Sequence, residues 1–417
     1  MMELAARLPL RDTIAPAQQG ELVVAVQRAF AEETPVYPIG GGTSLDFGLP
    51  AADEGIALQL SGLDRVIDYP ARDMTITVEA GMTMTRLAET LAAEGQRLPV
   101  DVPDPDRATL GGVIATNTSG PRRYGQGTMR DYVIGISAVD GRGVLFKGGG
   151  RVVKNVAGYD FCKLLTGSLG TLGIISQVTL KVRPVPRASR LLATPVNGWN
   201  EGRQRLEALA SGAARPVAIE WLIGPAWSDD PALVSAAEGT CGRLVVGLEG
   251  TVDEVDWMEQ ELNRHWDELG AAAWSTIVDD AAPALWRRLT DFPANPDAPL
   301  VVKANVAPSY TTSYLQRLQI IDPDCSVQAH AGSGIIVCRF SPTPPAQGYE
   351  QIFPLGLVPE ATMGQGSVVV LGGRVTRELP PPAIWGKPTT AWKWMTRVKQ
   401  QFDPKNLLNR GRFVYEH

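Results

Sequence analysis

Gly40-Gly41-Gly42-Thr43-Ser44, then Thr109-Leu110-Gly111-Gly112 running on to Gly125, then Gly167-Ser168-Leu169-Gly170-Thr171-Leu172-Gly173, are the stretches on which the reading of this chain turns. Glycine has no Cβ, so its backbone can approach a ligand closely and adopt positive φ. Successive N–H groups in a tight turn form a concave nest for an anion, which suits a pyrophosphate. One glycine triplet is an ordinary loop. Three, each followed by apolar residues, point to a long phosphate-bearing cofactor that the chain wraps.

The first stretch has the local context of a phosphate cradle. Leu22, Val23, Val26, Ala29 and Phe30 share one helical face. A short strand, Val36 to Ile39, then delivers the chain into the glycines, where Thr43 and Ser44 add hydroxyl donors. The common nucleotide fingerprints fail. The single Gly-Lys pair, Gly386-Lys387, is followed by Pro388, so there is no P-loop. Leu45 stands where a third glycine would complete a Rossmann fingerprint after Gly40 and Gly42.

The bulk properties narrow the class. A chain of 417 residues has room for two or three domains. Its 43 glycines and 32 prolines suit many short strands and tight turns better than a helical bundle. A net charge of -6 argues against nucleic acid and against polybasic membrane attachment. The first ten residues contain Glu3 and Arg7 and no uninterrupted apolar run, so no signal peptide is expected and the protein reads as cytoplasmic, peripheral at the inner membrane only through partners. Cys162, Cys241, Cys325 and Cys338 are too far apart for CxxC sites, which speaks for reduced, mostly buried thiols and against an iron–sulfur cluster on this chain.

Up to about residue 188, short strands alternate with helices. Ile56, Leu58 and Leu60, and then Ile76 and Val78, alternate as in half-buried strands; Leu87, Ala88, Leu91 and Ala92 make a helical stripe ending at Gly95. Ile134 to Val139 and Gly173 to Val182 read as further strands. Arg183-Pro184-Val185-Pro186-Arg187 breaks regular structure and marks the domain boundary. Beyond it, strands are expected at Ala218 to Ile223, Leu244 to Leu248, Leu300 to Val306 and Ile335 to Phe340. Val255, Met258, Leu262, Trp266 and Leu269 mark a helix, and a last helix spans Thr390 to Phe402.

On these residues the chain resembles the PCMH-type, or vanillyl-alcohol-oxidase-type, FAD-binding family. The resemblance rests on Pro38-Ile39-Gly40-Gly41-Gly42-Thr43-Ser44, on Ala108-Thr109-Leu110-Gly111-Gly112 with Ala115 and Asn117, and on the stretch from Gly167 to Gly173. It covers roughly residues 20 to 185. Within the family the chain is most similar to the FAD-binding accessory subunits of bacterial glycolate oxidases. The residues that point there are Gly149-Gly150-Arg151-Val152-Val153-Lys154-Asn155-Val156-Ala157-Gly158-Tyr159-Asp160, Ser119-Gly120-Pro121-Arg122-Arg123 and Met129-Arg130-Asp131. Phe402-Asp403-Pro404, Asn409, Gly411 and Arg412 resemble the family's returning tail, with Arg410 where a proline is usual.

The resemblance implies an α+β chain. A PCMH-type FAD-binding domain of two α/β subdomains would occupy residues 1–188, an α+β cap domain for substrate 189–385, and a helical tail returning to the FAD domain 386–417. It implies that Ile39, Gly40, Gly41, Gly42, Thr43 and Ser44 hold the pyrophosphate. Thr109, Gly111, Gly112, Ala115, Asn117, Ser119, Gly120 and Gly125 would lie along the flavin, ribityl chain or phosphates, and Gly170 and Ile174 would face the adenine. Arg122, Arg123 and Lys154 would neutralise the pyrophosphate, pair with a partner subunit, or remain solvated surface charges. Tyr159 is either a flavin neighbour or a rim residue. The FAD is expected to be non-covalent, because no histidine precedes His265 and Cys162 is the single cysteine before Cys241.

Oxidation of a 2-hydroxy acid on FAD needs a base for the hydroxyl proton, a cation for the carboxylate, and the flavin as hydride acceptor. Catalytic subunits of the resembling branch carry a His-x-Gly-Asp-Gly-Asn-x-His metal motif. This chain has His330-Ala331-Gly332-Ser333-Gly334-Ile335-Ile336-Val337, which keeps the first histidine and both glycines but no second ligand. No metal site is therefore expected; His330 reads as a structural or substrate-edge residue and is the one catalytic candidate, and Arg374 is either an anion contact or a surface arginine. The resemblance implies an FAD-binding subunit of a complex that oxidises glycolate to glyoxylate, with hydride chemistry centred on a catalytic FAD subunit and with a separate iron–sulfur subunit. Two alternatives stand beside it: a stand-alone FAD dehydrogenase of another hydroxy acid or alcohol, and a non-catalytic FAD-binding scaffold.

Overall fold

The structure is a computed structural model that describes residues 7–51, 53–150, 158–233, 240–268, 274–294, 297–343, 348–386 and 389–413. The chain forms two compact units: residues 1–119, 128–185 and 387–417, and residues 120–127 with 186–386. The first domain expected as continuous over 1–188 is thus interrupted, because residues 120–127 belong to the second unit.

In the first unit, β1 (Leu10–Ile14), α1 (Gln19–Ala31), β2 (Val36–Ile39) and β3 (Gly55–Gln59) make a parallel sheet ordered β1-β3-β2. Helix α1 buries Leu22, Ala25, Val26 and Ala29 in the core that contains Ile56 and Leu58. That spacing puts one apolar stripe against a sheet.

A second subdomain follows, with β4 (Val66–Asp68), β5 (Thr75–Glu79), α2 (Met84–Ala92), α3 (Leu110–Thr116), β6 (Val133–Val139), β7 (Leu145–Gly149) and β8 (Ile174–Lys181). Its sheet is antiparallel, ordered β4-β5-β8-β6-β7. Ile76 and Val78 point into a core shared with Leu87, Leu91, Leu110 and Ile114, so the alternating strand and the helical stripe meet. Thr83 caps α2 by accepting the Arg86 N–H.

The second unit is built on one eight-stranded antiparallel sheet. Its elements are β9 (Ala188–Pro195), α4 (Trp199–Ser211), β10 (Ala218–Ile223), β11 (Arg243–Gly250), α5 (Val252–Glu268), β12 (Ser275–Ile277), α6 (Ala281–Asp291), β13 (Val301–Asn305), α7 (Thr311–Ile321), β14 (Ser326–His330), β15 (Ile335–Arg339) and β16 (Ser367–Gly372). The order is β12-β9-β11-β10-β14-β15-β13-β16. Four of these strands, β9, β12, β14 and β16, are absent from the sequence reading. The reason is plainest for β14: Ser326, Gln328 and His330 break up its apolar character, although all five residues are buried.

The last helix, α8 (Thr390–Phe402), belongs to the first unit, where Val398 and Phe402 pack on the core of the five-stranded sheet. The chain beyond it is pinned by Asp403, buried at the turn, whose carboxylate accepts the Leu407 N–H at 3.0 Å, the Leu408 N–H at 2.6 Å and the Lys399 ammonium at 2.6 Å. Leu408 then bridges to Val36 beside β2. Arg410, where the resembling family has proline, pairs on the surface with Asp53 at 3.0 Å.

Candidate functional site

In the first unit the ends of β2 and β8, the start of α3 and the returning tail enclose an open cleft of about 880 Å³. Ile39, Gly40, Gly41, Gly42, Thr43, Ser44, Thr109, Gly111, Gly112, Ala115, Gly170 and Ile174 all line it, so the structure brings together residues from all three glycine stretches. Among the described residues, no hydrogen bond uses the backbone N–H of Gly41, Gly42, Thr43, Ser44 or Leu45. Five consecutive free donors in a cleft wall suit an anionic group such as a pyrophosphate.

The glycines are required for two different reasons. A Cβ on Gly41 would lie 1.6 Å from the Arg107 carbonyl oxygen, and one on Gly40 would lie 1.9 Å from Thr109 Oγ1. These two let the first and second stretches touch. Gly112 differs: its nearest neighbour to a Cβ is Thr109 Oγ1 at 3.3 Å, so a side chain there would extend into the cleft.

The tail contributes residues that the sequence reading had not counted in the site. Asn409 and Arg412 line the cleft, and Asn409 donates to the Leu169 carbonyl. The Arg412 guanidinium donates to the carbonyls of Leu45, Phe47 and Leu49, and its burial lowers its pKa. It holds the loop after Ser44 in shape and brings a positive charge to the cleft wall.

Four expected cofactor residues lie elsewhere. Asn117 caps α3 in a left-handed conformation, φ 52°, and Ser119 Oγ accepts the Met129 N–H. Neither lines the cleft. Gly120 and Gly125 belong to the second unit, where the Gly125 N–H donates to the Val217 carbonyl and a Cβ would sit 2.7 Å from Val217 Cα. Its glycine serves strand packing. Tyr159 is 84% exposed and leans on Phe161, so it is a surface residue. Arg374 is exposed as well. Lys154 lies outside the described residues.

The second unit holds a different arrangement. Glu220 on β10 and His330 on β14 are cross-strand partners, both buried, with His330 Nδ1 2.8 Å from Glu220 Oε1 and 2.9 Å from Oε2. Gln328 Nε2 donates to Glu220 Oε2 at 2.8 Å, while Gln328 Oε1 is buried and without a partner among the described residues. Register places Lys303 of β13 on the same face, opposite Val337, which is itself opposite Gln328. Lys303 keeps part of its surface accessible, yet the surrounding protein desolvates it enough to lower its ammonium from 10.5 to about 8, helped by the Arg123 charge.

Residues 120–127 join this face. Arg122 and Arg123 have opposite fates there. Arg122 is committed to Glu249, Nε to Oε1 2.7 Å, and stacks on Trp286 at 4.0 Å. Arg123 has no side-chain hydrogen bond among the described residues; desolvation lowers its pKa, and the Glu220 carboxylate opposes that shift. Neither arginine is among the residues that line the cleft. The motif glycines have structural tasks: the Tyr124 ring packs where a Gly332 Cβ would go, 2.4 Å away, and Gly334 turns the chain at φ +66°. Among the described residues no group of three or more His, Cys, Asp and Glu side chains is placed to hold a metal.

Residues 12–149 match the family described as "FAD binding domain". The mitochondrial D-lactate dehydrogenase [cytochrome] of Arabidopsis thaliana is 35% identical over 96% of this chain and 73% of its own length. The chain belongs to the FAD-dependent hydroxy-acid oxidoreductase family. FAD is its cofactor, and it is an oxidoreductase. Within the family, the glycolate oxidase subunit GlcE of Escherichia coli is 34% identical over 42% of this chain; the chain matches half of that subunit's length. A solved alkyldihydroxyacetonephosphate synthase shares the fold, with a TM-score of 0.68 over 96% of this chain and 77% of that one at 18% identity. The family match ends before the third glycine stretch and the tail, which the cleft nevertheless recruits.

Proposed function

We propose that this chain oxidises a small 2-hydroxy acid, glycolate or D-lactate, to the 2-oxo acid, as the FAD-binding subunit of a glycolate oxidase-type complex. The observation that carries the reading is the shared sheet face of the second unit. A guanidinium with no side-chain hydrogen bond among the described residues and a desolvated ammonium suit a carboxylate, and a carboxylate-bound imidazole suits the hydroxyl proton. Arg123 and Lys303 would anchor the acid, and His330 would serve the hydroxyl.

FAD would lie in the cleft of the first unit, its pyrophosphate against residues 41–45, and when bound it supplies the acceptor for the hydrogen on Cα. The expectation that hydride chemistry sits on a partner rested on the missing metal ligands after His330. Glu220, Arg123 and Lys303 beside that histidine favour a substrate site on this chain. The match to GlcE, a glycolate oxidase subunit, supports membership of a multi-subunit complex, in which a second flavin subunit and an iron–sulfur subunit would be the partners.

A second reading, a stand-alone dehydrogenase, is favoured by one observation: the Arabidopsis D-lactate dehydrogenase matches across nearly the whole chain. Purification with and without candidate partner chains, followed by glycolate- and D-lactate-dependent dye reduction, separates the two. Dye reduction that needs the partners although substrate reduces this chain's own flavin supports the complex, and equal dye turnover by the chain alone supports the stand-alone enzyme.

A further inference from the structure

The face of the second unit's sheet around Glu220 should by composition be apolar. The cross-strand neighbours of Glu220 and Gln328 there are Val245, Leu222 and Val337, all buried. Setting a carboxylate, an amide and an imidazole among them is costly unless they are paired. The pairing is specific. Both Glu220 oxygens face one imidazole nitrogen, and Gln328 Nε2 holds one of them from the same strand as His330. Among the described residues these are the ring's only hydrogen bonds. A carboxylate in contact with Nδ1 keeps the proton on that nitrogen, which leaves the lone pair on Nε2.

Resting on the reading that the chain oxidises a 2-hydroxy acid, we infer that Glu220 is the positioning residue that makes His330 a base without a metal. The carboxylate fixes the imidazole as the Nδ1–H tautomer, so Nε2 takes the proton of the substrate hydroxyl. FAD, when bound, would supply the acceptor for the hydrogen and electron pair that leave Cα as the C=O bond forms. The imidazolium so generated is stabilised by the same carboxylate. Gln328 keeps Glu220 from rotating away. The division of labour is that of a carboxylate-oriented histidine in hydrolytic triads, where replacing the carboxylate by its amide leaves the geometry but gives the wrong tautomer and costs about 10⁴ in kcat.

The test uses the FAD-loaded protein with ¹⁵N-labelled histidine. The chain has three histidines, His265, His330 and His417, so His330→Gln assigns the signal. In the native protein His330 should be the Nδ1–H tautomer; in Glu220→Gln, whose amide donates to Nδ1, it should become Nε2–H. Turnover of the same variant should fall about 10²- to 10⁴-fold in kcat, with KM within about threefold, and Glu220→Asp should restore part of the loss. An Nε2–H tautomer of His330 in the native protein overturns the inference. So does a Glu220→Gln kcat within about tenfold of native while the native protein turns over. Absence of 2-hydroxy-acid turnover by the native protein, alone and with partners, with the Nδ1–H tautomer present, overturns the functional reading and the base role with it.

Discussion

The cleft of the first unit is walled by backbone from which side chains have been cleared, whereas the polar face of the second unit is made by side chains that three strands carry among buried apolar neighbours. In the cleft, Gly40 and Gly41 allow the first two glycine stretches to touch, and five free N–H groups remain on the wall. On the sheet, Glu220 and His330 meet although 110 positions separate them. Backbone donors need no ionisable group and are insensitive to pH. A face built on Lys303, Arg123 and Glu220 responds to single charges. A cofactor kept through many turnovers suits the first design, and a substrate that must be bound and released suits the second.

The comparison breaks most sharply at Gly112, where a Cβ would meet only the Thr109 hydroxyl, at 3.3 Å, but a longer side chain enters the cleft. Gly112→Leu should lose FAD by about 100-fold or more in Kd, roughly 2.7 kcal/mol, with apo-protein melting close to native; flavin fluorescence titration and calorimetry measure the two. Retention of FAD at native affinity would remove the cleft from the account. Next in size is Arg123→Gln. Truncating one partner of a buried charge contact costs about 2 kcal/mol or more. KM for glycolate or D-lactate should therefore rise about 30-fold while FAD affinity stays unchanged. A parallel loss of FAD would mean that the two regions are not separable by function.

Lys303 sharpens the contrast through pH. Its folded pKa of about 8 lies below the ordinary 10.5, so the ammonium that attracts a carboxylate is present below pH 8 and lost above it. KM should climb toward about tenfold per pH unit above 8, while FAD binding stays flat over the same window. Stability runs the other way. Between 8 and 10.5 the unfolded chain holds a proton that the folded chain has released, so this lysine's contribution to stability rises with pH there. Lys303→Met should flatten both trends, and steady-state kinetics with thermal melts from pH 7 to 10 check them.

The smallest effect concerns the flavin linkage. Burial pushes the Cys162 thiol up to about 11 from 9.0, and the residue sits in the core of the five-stranded sheet outside the cleft. Acid precipitation should leave all of the flavin in the supernatant, and Cys162→Ser should change nothing in that assay. Yellow colour in the pellet would contradict a non-covalent cofactor.

The cleft was legible in the sequence because its requirements are local. A glycine triplet after a short strand announces a bare loop wherever the rest of the chain goes, although the need for Gly40 and Gly41 arises from residues 107–109 as much as from a ligand. The polar face was only half legible. The strand Ala218 to Ile223 was read correctly, yet the acid in its middle was passed over. A glutamate inside a run of Ala, Ile, Trp and Leu is itself a sign of a buried partner. Nothing local could show that partner, since the cross-strand register is fixed by the pairing of the whole sheet. Likewise β14 escaped because Ser326, Gln328 and His330 disguise a buried strand as a polar one. Residues 120–127 carry no pattern that assigns them to the second unit.

The central claim is that one chain holds both the FAD and a competent site for the hydroxy acid. The most direct measurement is anaerobic addition of D-lactate or glycolate to the purified, FAD-loaded chain without partners, followed by flavin absorbance. The account predicts bleaching of the flavin band by native protein, slowed by about 10²-fold or more in His330→Ala while the bound FAD content is unchanged. A flavin that stays oxidised in the isolated chain, yet bleaches once partner subunits are added, would contradict it and move the chemistry to another polypeptide.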